Sequence, residues 1–198
     1  RAESVRIAGM VSAVATLGLA VWMLAAFKTH HAGYQFISTH SWSADIGIRW
    51  TIGVDGISLF MVVLNALLTP IALLASAKLD DRVKSFTVWI LVLEAALMGA
   101  FLSLDLVLFF VFFELSLVPM YFLIAGWGHG RRQYAAMKFF IYTMAGSAFL
   151  LVGILTVAFL HSSATGVLTF DIRVLSKWAP AGLAPSTAAW LFAAFTIA

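Results

Sequence analysis

The sequence predicts an all-α integral membrane protein, a polytopic bundle of transmembrane helices. Of its 198 residues, 63% are hydrophobic and only 11% are charged, a balance typical of membrane proteins. The apolar residues form long runs, and about 20 apolar residues in a helix span the hydrocarbon core of a bilayer. The regular alternation of a membrane β-barrel is absent from the sequence. These observations indicate membrane-spanning helices.

Five apolar runs have the length of a spanning helix, and they form a single membrane domain. They cover residues 5–27, 57–77, 85–103, 106–125 and 137–160, and another run starts at 187–198. The first run is too long for the core of a signal peptide, so we expect it to remain as a span. Only Leu104 and Asp105 separate the third run from the fourth, which predicts a tight antiparallel helix pair. Because the chain starts at Arg1 and stops inside an apolar run, we expect it to be a fragment.

The basic residues predict how the spans are oriented. If the spans alternate in direction, seven basic residues lie on one side and four on the other: Arg1, Arg6, Lys78, Arg82, Lys84, Arg131 and Arg132 against Lys28, Arg49, Arg173 and Lys177. The seven lie in short connections, where basic residues mark the cytoplasmic side. We therefore expect the short basic loops to be cytoplasmic and the long loops, 28–56 and 161–186, to face the opposite side. The net charge of +3 is thus explained by basic residues that orient the spans in the membrane, and no nucleic-acid partner is expected.

Glu114 is the main candidate site residue, because it lies near the middle of the fourth run. An ionised side chain there costs at least a few kcal/mol, so the carboxyl group must be neutral, paired or hydrated. A buried glutamate with a movable cationic partner can gain and lose a proton. The structural alternative is a protonated glutamate that hydrogen-bonds a neighbouring helix. Pro119, five residues later, removes a backbone hydrogen bond and is expected to loosen the helix beside Glu114.

Glu94 and Lys138 are two further candidates for proton transfer. Glu94 and Glu114 lie at similar distances from the turn at Leu104 and Asp105, so the sequence predicts that they share one depth in the membrane. Two carboxylates at one depth repel each other unless a cation intervenes or each faces a different partner. Lys138, near the start of the fifth run, either extends its amine to the cytoplasmic surface or exchanges protons with the acidic sites. Both alternatives remain open.

The sequence contains no recognisable catalytic or metal site of a soluble type. With no cysteine, thiolate zinc sites and iron–sulfur ligation are excluded on this chain. The histidines lack a helical metal-ligand spacing, and phosphate-loop, dinucleotide and nucleophile-elbow motifs are absent. We therefore expect no cofactor on this chain.

Three stretches carry a resemblance to a known family. They are WTIGVDGISLFMVVLNALLTPIALLAS (50–76), LEAALMGAFLSLDLVLFFVFFELSLVPMYFLIAGWG (93–128) and AAMKFFIYTMAGS (135–147). The sequence resembles the M-type antiporter-like subunit of bacterial NADH:quinone oxidoreductase, respiratory complex I. The form VPMYFLIxGWG favours the M type over the related L and N types and over the multisubunit cation/proton antiporters.

The resemblance implies a fold and a place for each candidate residue. Such subunits contain about fourteen helices with two inverted five-helix repeats, each holding half of a proton path. Glu114 matches the family's key glutamate on its fifth helix, Glu94 the glutamate of the preceding helix, and Lys138 a lysine on the sixth helix. The first span here then corresponds to the family's second helix. Ala198 falls just before the lysine that pairs with the key glutamate.

The implied function is proton translocation in the membrane arm of complex I. NADH oxidation and quinone reduction take place in other subunits, where FMN and iron–sulfur clusters are expected, so the enzyme label of translocase belongs to the complex. The implied partners are the L-type and N-type subunits, the lipid bilayer and protons, and the implied location is the bacterial inner membrane. Two alternatives are a subunit of a multisubunit Na⁺/H⁺ antiporter and a membrane scaffold that transports nothing.

Overall fold

The computed structural model of the protein describes residues 2–30, 33–43 and 47–197. Its elements, in chain order, are α1 (Ala2–Ala26), β1 (Gln35–Ser43), β2 (Ile48–Val54), α2 (Gly56–Ala75), α3 (Val83–Leu102), α4 (Leu106–Trp127), α5 (Arg132–Thr165), α6 (Ile172–Gly182) and α7 (Pro185–Ile197). In this described part of the chain, the helices α1 to α5 are long and apolar enough to cross a membrane. The predicted class, a polytopic helical membrane protein, is confirmed.

The helix α5 is longer than the run that predicted it. It begins five residues before residue 137 and ends five residues after residue 160, with 34 residues in all. At about 1.5 Å per residue it is about 51 Å long, whereas the hydrocarbon core is about 30 Å thick. Its ends, which carry Arg132 and Thr165, therefore extend beyond the apolar layer.

The helices pack in an order that follows the chain. The helices α1, α2 and α3 contact one another, α4 packs against α3, α5 packs against α4, and both α6 and α7 pack against α5. Because α4 lies between α3 and α5, two faces of α4 contact different helices. The position of a side chain around α4 therefore determines whether it faces α3 or α5.

Aromatic contacts determine the register of α3 against α4. The rings of Trp89 and Phe122 stack with centroids 4.4 Å apart, and those of Phe86 and Trp127 meet edge to face at 5.3 Å. Nearer the turn, Gly99 lies directly against the ring of Phe112, where a β-carbon would overlap the ring. The two helices are thus antiparallel and closely packed over most of their length, as the short turn predicts.

The long loops contain structure that the sequence analysis missed. In 28–56, β1 and β2 form an antiparallel hairpin, and in 161–186 lies the amphipathic helix α6. The alternation of polar and apolar residues in β2, at IRWTIGV, was a readable signal for a strand. The turn between α3 and α4 joins these segments, because Leu104 N–H donates to Thr51 O and Ile172 N–H donates to Leu104 O, both at 2.9 Å. Backbone hydrogen bonds thus tie both loops to one end of the bundle.

Aspartates begin three helices at this same end. Asp55, Asp105 and Asp171 accept backbone N–H groups in the first turns of α2, α4 and α6, which satisfies donors that a helix start otherwise leaves free. Burial raises the pKa of Asp105, and the nearby Asp171 carboxylate raises it further, although backbone donors at Arg49, Leu108 and Val107 oppose the shift. Burial also acts to raise the pKa of Asp171, but hydrogen bonds from Arg173 and its positive charge outweigh burial and lower that pKa.

Arginines connect the helices at the opposite end. Arg6 of α1 donates to Leu79 O at 2.6 Å, in the connection between α2 and α3. Arg82 and Arg132 both donate to Gly126 O near the end of α4, at 3.0 Å and 2.8 Å, where carbonyl groups lack helical partners. These three arginines belong to the group that we expect on the cytoplasmic side. Arg1, also in that group, lies outside the described residues.

Replacing Gly99 with alanine is expected to destabilise the protein by about 1–3 kcal/mol, because the added methyl group overlaps Phe112 and forces the helices apart. Thermal unfolding of the detergent-solubilised, full-length protein measures this effect. The control is Gly18→Ala in α1, where no atom of the described residues lies within 4 Å of the added methyl group, and this change is expected to leave the midpoint unchanged or raise it. Equal midpoints for the two variants would contradict the close packing.

The Asp171→Asn change tests the ion pair with Arg173, because asparagine can still cap α6 but carries no charge. A folded-state pKa below the ordinary value of 3.8 stabilises the protein above that pH, and the contribution is lost as the pH falls through the lowered value. The variant is therefore expected to be less stable than the parent at neutral pH, by an amount that shrinks in acid. Unfolding midpoints across the acidic range measure this. Asp80→Asn is the control, since the Asp80 carboxylate is 93% exposed and its ion pair with Arg6 is expected to contribute little, and a gap that widens in acid would refute the assignment.

Candidate functional site

Glu114 lies on the face of α4 that packs against α5. On this face Phe110 packs against the buried cluster of Ile154, Ala158 and Phe170, and the rings of Tyr121 and Phe140 are 5.7 Å apart. Glu114 comes four residues after Phe110 and seven before Tyr121, and these spacings place all three on one side of a helix. Its Oε1 atom is buried, and no donor in the described part of the chain reaches it. The carboxyl group thus lies at a helix interface with an unmet hydrogen bond.

Ser147 of α5 lies at about the depth of Glu114. The contact between Tyr121 and Phe140 marks one level of the antiparallel helices α4 and α5. Glu114 lies seven residues before Tyr121 and Ser147 lies seven residues after Phe140, so the two are level with each other. Ser147 is buried, and its hydroxyl donates to Met144 O at 3.0 Å. From the sequence, only a role in helix packing was predicted for this residue. Its position makes it a neighbouring polar group for Glu114 across the interface between α4 and α5.

Glu94 lies on the opposite side of the α3–α4 pair and faces α2. Asn65 of α2 donates its side-chain N–H to the backbone carbonyl of Glu94 at 3.1 Å, and the Thr69 hydroxyl, one turn further along α2, donates to Asn65 O at 3.1 Å. Glu94 is only 5% exposed. Within the described ranges, its Oε1 atom also has no hydrogen-bond partner. Glu94 is therefore a buried acid in contact with polar groups of α2.

The two glutamates share a depth but not an interface. Because Trp89 and Phe122 are level, Glu94 is level with residue 117 of α4, about 4.5 Å along the axis from Glu114. This agrees with the similar depth that the sequence indicated. The packing separates them sideways, because Glu94 faces α2 and Glu114 faces α5. Of the alternatives left open by the sequence, the structure favours different partners for the two acids.

Lys138 does not join this group. The residues of α5 that face α4 include Ala136 and Phe140, and Lys138 lies two positions from each, about 200° around the helix. It is exposed, and along the axis it lies about 14 Å from the level of Glu114, nine residues away. The lysine is therefore placed near the end of the bundle, where its amine can reach the membrane surface. Its proposed role in proton transfer stays a prediction.

Pro119 lies within α4, which continues as a helix on both sides of it. Since proline has no N–H, the carbonyl of Leu115, one residue after Glu114, has no helical donor. Pro70 in α2 has the same effect on the carbonyl of Ala66. A freed carbonyl therefore lies close in sequence to Glu114 and another close to the polar residues that contact Glu94. The sequence analysis identified the first and missed the second.

Asn65 and Thr69 could have been found from the sequence. They are polar residues four positions apart in an otherwise apolar helix, directly before Pro70, and this spacing places both on one face. What the sequence could not show is that this face contacts Glu94, since that contact joins residues about 29 positions apart. Both residues therefore enter the candidate site from the structure.

Fold and site together define a class of protein. The chain is a multi-pass membrane protein in which carboxyl groups lie within the apolar layer at helix interfaces. Such residues are costly and are associated with ion and proton pathways. The class is that of a polytopic membrane protein with ionisable side chains at helix interfaces inside the apolar layer.

Comparisons with known proteins identify the family. Residues 103–198 match the family described as "NADH:quinone oxidoreductase/Mrp antiporter, TM". The chain is 38% identical over 168 residues to the "F(420)H(2) dehydrogenase subunit M" of Methanosarcina mazei, covering 84% of this chain and 34% of that protein. It is 35% identical over 181 residues to the "NADH-quinone oxidoreductase subunit M" of Rhodobacter capsulatus, covering 87% of this chain and 35% of that protein. The chain thus spans about a third of the length of these relatives.

Solved structures share the fold. A chain of respiratory complex I from Thermus thermophilus matches with a TM-score of 0.77 and 25% identity, over 97% of this chain and 38% of that one. A chain of the Mrp complex from Dietzia matches with the same TM-score at 20% identity, over 97% of this chain and 20% of that one. The chain belongs to the family of M-type antiporter-like membrane subunits. The family assignment made from the sequence is confirmed.

The separation of the two acids can be tested by cross-linking, since the chain has no cysteine of its own. A cysteine pair at Asn65 and Glu94 is expected to react with a short thiol-specific cross-linker, because these residues are in contact. A pair at Glu94 and Glu114 is expected to react much more slowly, because the two side chains face different helices. Yields read from mass spectra of the full-length protein measure this. Efficient cross-linking of the second pair would refute the arrangement.

Proposed function

We propose that this chain is part of a proton-translocating membrane-arm subunit of NADH:quinone oxidoreductase. The observation that carries the proposal is Glu114, a mid-membrane carboxyl group at the interface of α4 and α5 with a buried oxygen that no donor among the described residues reaches. Membership of the M-type family supports it, since relatives are named as subunit M of that enzyme. Proton translocation requires a buried group that changes protonation, and Glu114 has the chemistry for this.

The proposed mechanism depends on the cost of charge in the membrane. A neutral Glu114 needs only hydrogen-bond partners, whereas an ionised one needs a nearby cation or water. A lysine approaching Glu114 would favour the anion and release the proton, and its withdrawal would favour uptake. In the proposed mechanism, the amine comes from a lysine on another helix, as the resemblance implies. Ser147 and the freed carbonyl of Leu115 are polar groups that could hold water beside the carboxyl group.

In the proposed assembly, electron transfer takes place in other subunits. NADH, FMN, iron–sulfur clusters and quinone would bind there, and thiolate-held clusters could not form on a chain without cysteine. The activity of the enzyme would belong to the complex, with this chain contributing the translocation step. Its partners would be the L-type and N-type antiporter-like subunits, in a bacterial inner membrane with the short basic loops in the cytoplasm.

A second candidate is a subunit of a multisubunit cation/proton antiporter. The matching fold of the Mrp complex from Dietzia supports this alternative. Such an assembly would exchange Na⁺ for protons without NADH. Sodium transport in vesicles, measured with and without NADH, discriminates between the two functions. Transport of Na⁺ that is independent of electron transfer would favour the antiporter.

The Glu114→Gln change tests the proposed function directly. Glutamine keeps hydrogen-bonding capacity but cannot ionise, so NADH-driven proton pumping is expected to fall by at least about tenfold, corresponding to about 1.4 kcal/mol on the translocation step. Coupled electron transfer to quinone is expected to fall with it. Pumping is measured in membrane vesicles, with assembly of the complex checked on a native gel.

The matched control for this experiment is Glu3→Gln. Glu3 is an exposed glutamate in the first turn of α1, and the same chemical change there is expected to leave pumping and electron transfer intact. Normal pumping by an assembled Glu114→Gln complex would make the carboxyl group structural and the proposed mechanism wrong.

A further inference from the structure

An apolar groove lies among α1, α2 and α3, at the end of the bundle where the arginines connect the helices. Its volume is about 220 Å³, and its walls include Ile7 and Met10 of α1, Leu74 of α2 and Phe86 of α3. Ile7 and Leu74 are 57% and 63% exposed. The groove therefore opens between α1 and α2, on the side of the bundle that lipid would surround.

The lining of the groove favours a hydrocarbon chain over water. A water molecule in such a site needs about two to four polar partners, and apolar cavities of this size stay dry. The Thr87 hydroxyl, which borders the groove, already donates to Val83 O at 3.0 Å. An acyl chain needs no hydrogen-bond partner, so it matches these walls.

Arg6 forms the polar edge of the groove. Its Nη2 atom donates to Leu79 O at 2.6 Å and to a carboxylate oxygen of Asp80 at 3.0 Å. A guanidinium group has about five N–H donors, and those on Nε and Nη1 have no partner among the described residues. The Asp80 carboxylate is 93% exposed, and an exposed ion pair contributes little. An incoming phosphate group can therefore compete for this guanidinium.

Further positive charge lies beside Arg6, in the connection between α2 and α3. Lys78, the residue before Leu79, and Lys84 are both exposed. In the part of the chain that the structure describes, neither lysine forms an ion pair. Even when the nearby acids Glu3, Asp80 and Asp81 are counted, the basic residues Arg6, Lys78, Arg82 and Lys84 outnumber them.

Arg82 does not take part in this edge, because its guanidinium group already has partners. It donates to the Asp81 carboxylate at 3.2 Å and to Gly126 O at 3.0 Å. It also lies over the ring of Trp127, 4.8 Å from the ring centroid. The positive charge available at the edge of the groove therefore comes from Arg6 and the two lysines.

We infer that this groove binds an anionic phospholipid, with one acyl chain between α1 and α2 and the phosphate group on Arg6. Basic pockets between membrane helices are a common site for such headgroups. The planar guanidinium group can bind two phosphate oxygens at once, which an ammonium group does less well. The bound lipid joins α1 to the connection between α2 and α3. The inference assigns a ligand and no step in proton transfer, so it goes beyond the proposed function.

A second apolar groove, between α4 and α5, provides an internal comparison. Its volume is about 330 Å³, and it is lined by Val118, Tyr121, Phe122, Met137 and Phe140. None of these five residues is basic. This second groove is therefore expected to take acyl chains without regard to the charge of the headgroup.

The experiment uses the full-length protein in mild detergent with two photoreactive lipids, phosphatidylglycerol and phosphatidylcholine, which carry the same diazirine-labelled acyl chains. Mass spectra of the peptides locate the adducts after illumination. We expect phosphatidylglycerol to label the peptides that contain Met10 and Leu74 at least about fivefold more than phosphatidylcholine does. The peptide that contains Tyr121 and Phe122 is expected to be labelled equally by the two lipids.

Arg6→Gln is expected to lower the labelling by phosphatidylglycerol by about fivefold, the factor that corresponds to one basic residue at an anionic membrane surface. Labelling by phosphatidylcholine is expected to stay unchanged, and Arg6→Lys is expected to keep part of the preference because it keeps the charge. The matched control is Arg131→Gln. Arg131 is an exposed arginine at the same end of the bundle, and it borders a different surface pocket, with Gly130 and Tyr134.

A second pair of variants tests the groove without changing its charge. Ala77 lines the groove, so Ala77→Phe fills part of its volume and is expected to lower labelling of Met10 by both lipids. Ala8→Phe adds the same ring at an exposed position of α1 that does not line the groove. This control is expected to leave the labelling intact. Thermal unfolding midpoints show that each variant is folded.

Each outcome supports or overturns the inference. Equal labelling of the groove by the two lipids overturns it, and so does a preference that survives Arg6→Gln. An equal loss in Arg6→Gln and Arg131→Gln also overturns it, since the effect would then be one of overall surface charge. Labelling of the second groove alone would mean that another part of the full-length protein fills the first one, and it would refute lipid binding there. These results are independent of pumping, so a failure of the proposed function leaves the test intact.

Discussion

The close packing of α3 against α4 is the contact on which the rest of the structure depends. Gly99 lets the ring of Phe112 lie against the backbone of α3, and one stacked and one edge-to-face pair of aromatic rings continue the contact towards the other end. In lipid, helices associate through such packing and not through the hydrophobic effect, because lipid is as apolar as the side chains. This pair determines which way Glu94 and Glu114 face.

Backbone N–H and C=O groups near the helix ends have different hydrogen-bond partners at the two ends of the bundle. At one end, aspartates accept the free N–H groups of three helices, and backbone hydrogen bonds join the turn at Leu104 to the hairpin and to the segment before α6. At the other end, arginines donate to carbonyl groups in the connections and at the end of α4. The aspartates carry the charge that stabilises helix N-termini, whereas the arginines lie near the starts of α1, α3 and α5 and reach carbonyl groups of neighbouring segments. Hydrogen bonds thus tie helix termini to the connecting segments at both ends of the bundle.

Between these ends, polar side chains lie close to positions where the regular hydrogen bonding of a helix is interrupted. Pro70 and Pro119 each free a carbonyl near an acidic or polar cluster, and the side chains of Asn65, Thr69 and Ser147 bond to backbone carbonyl groups within the apolar layer. Buried oxygens of both glutamates lack donors among the described residues. A polar group left unmet in an apolar medium is unfavourable, and it becomes favourable when a proton, a cation or water arrives. The same property makes such a group suitable for carrying protons.

The sequence by itself determined the class, the approximate extent of the spans, the tight turn between α3 and α4 and the similar depth of the two glutamates. These follow from local rules, because hydropathy and the rise per residue act along the chain. The β-hairpin and α6 were not predicted, although the alternation in IRWTIGV was a readable signal for β2. Only the tertiary structure decided that Glu94 faces α2, that Glu114 faces α5 and that Lys138 lies apart. The physical reason is that rotation of a helix about its axis is set by packing against its neighbours, and a uniformly apolar helix such as α4 carries little pattern from which that rotation can be read.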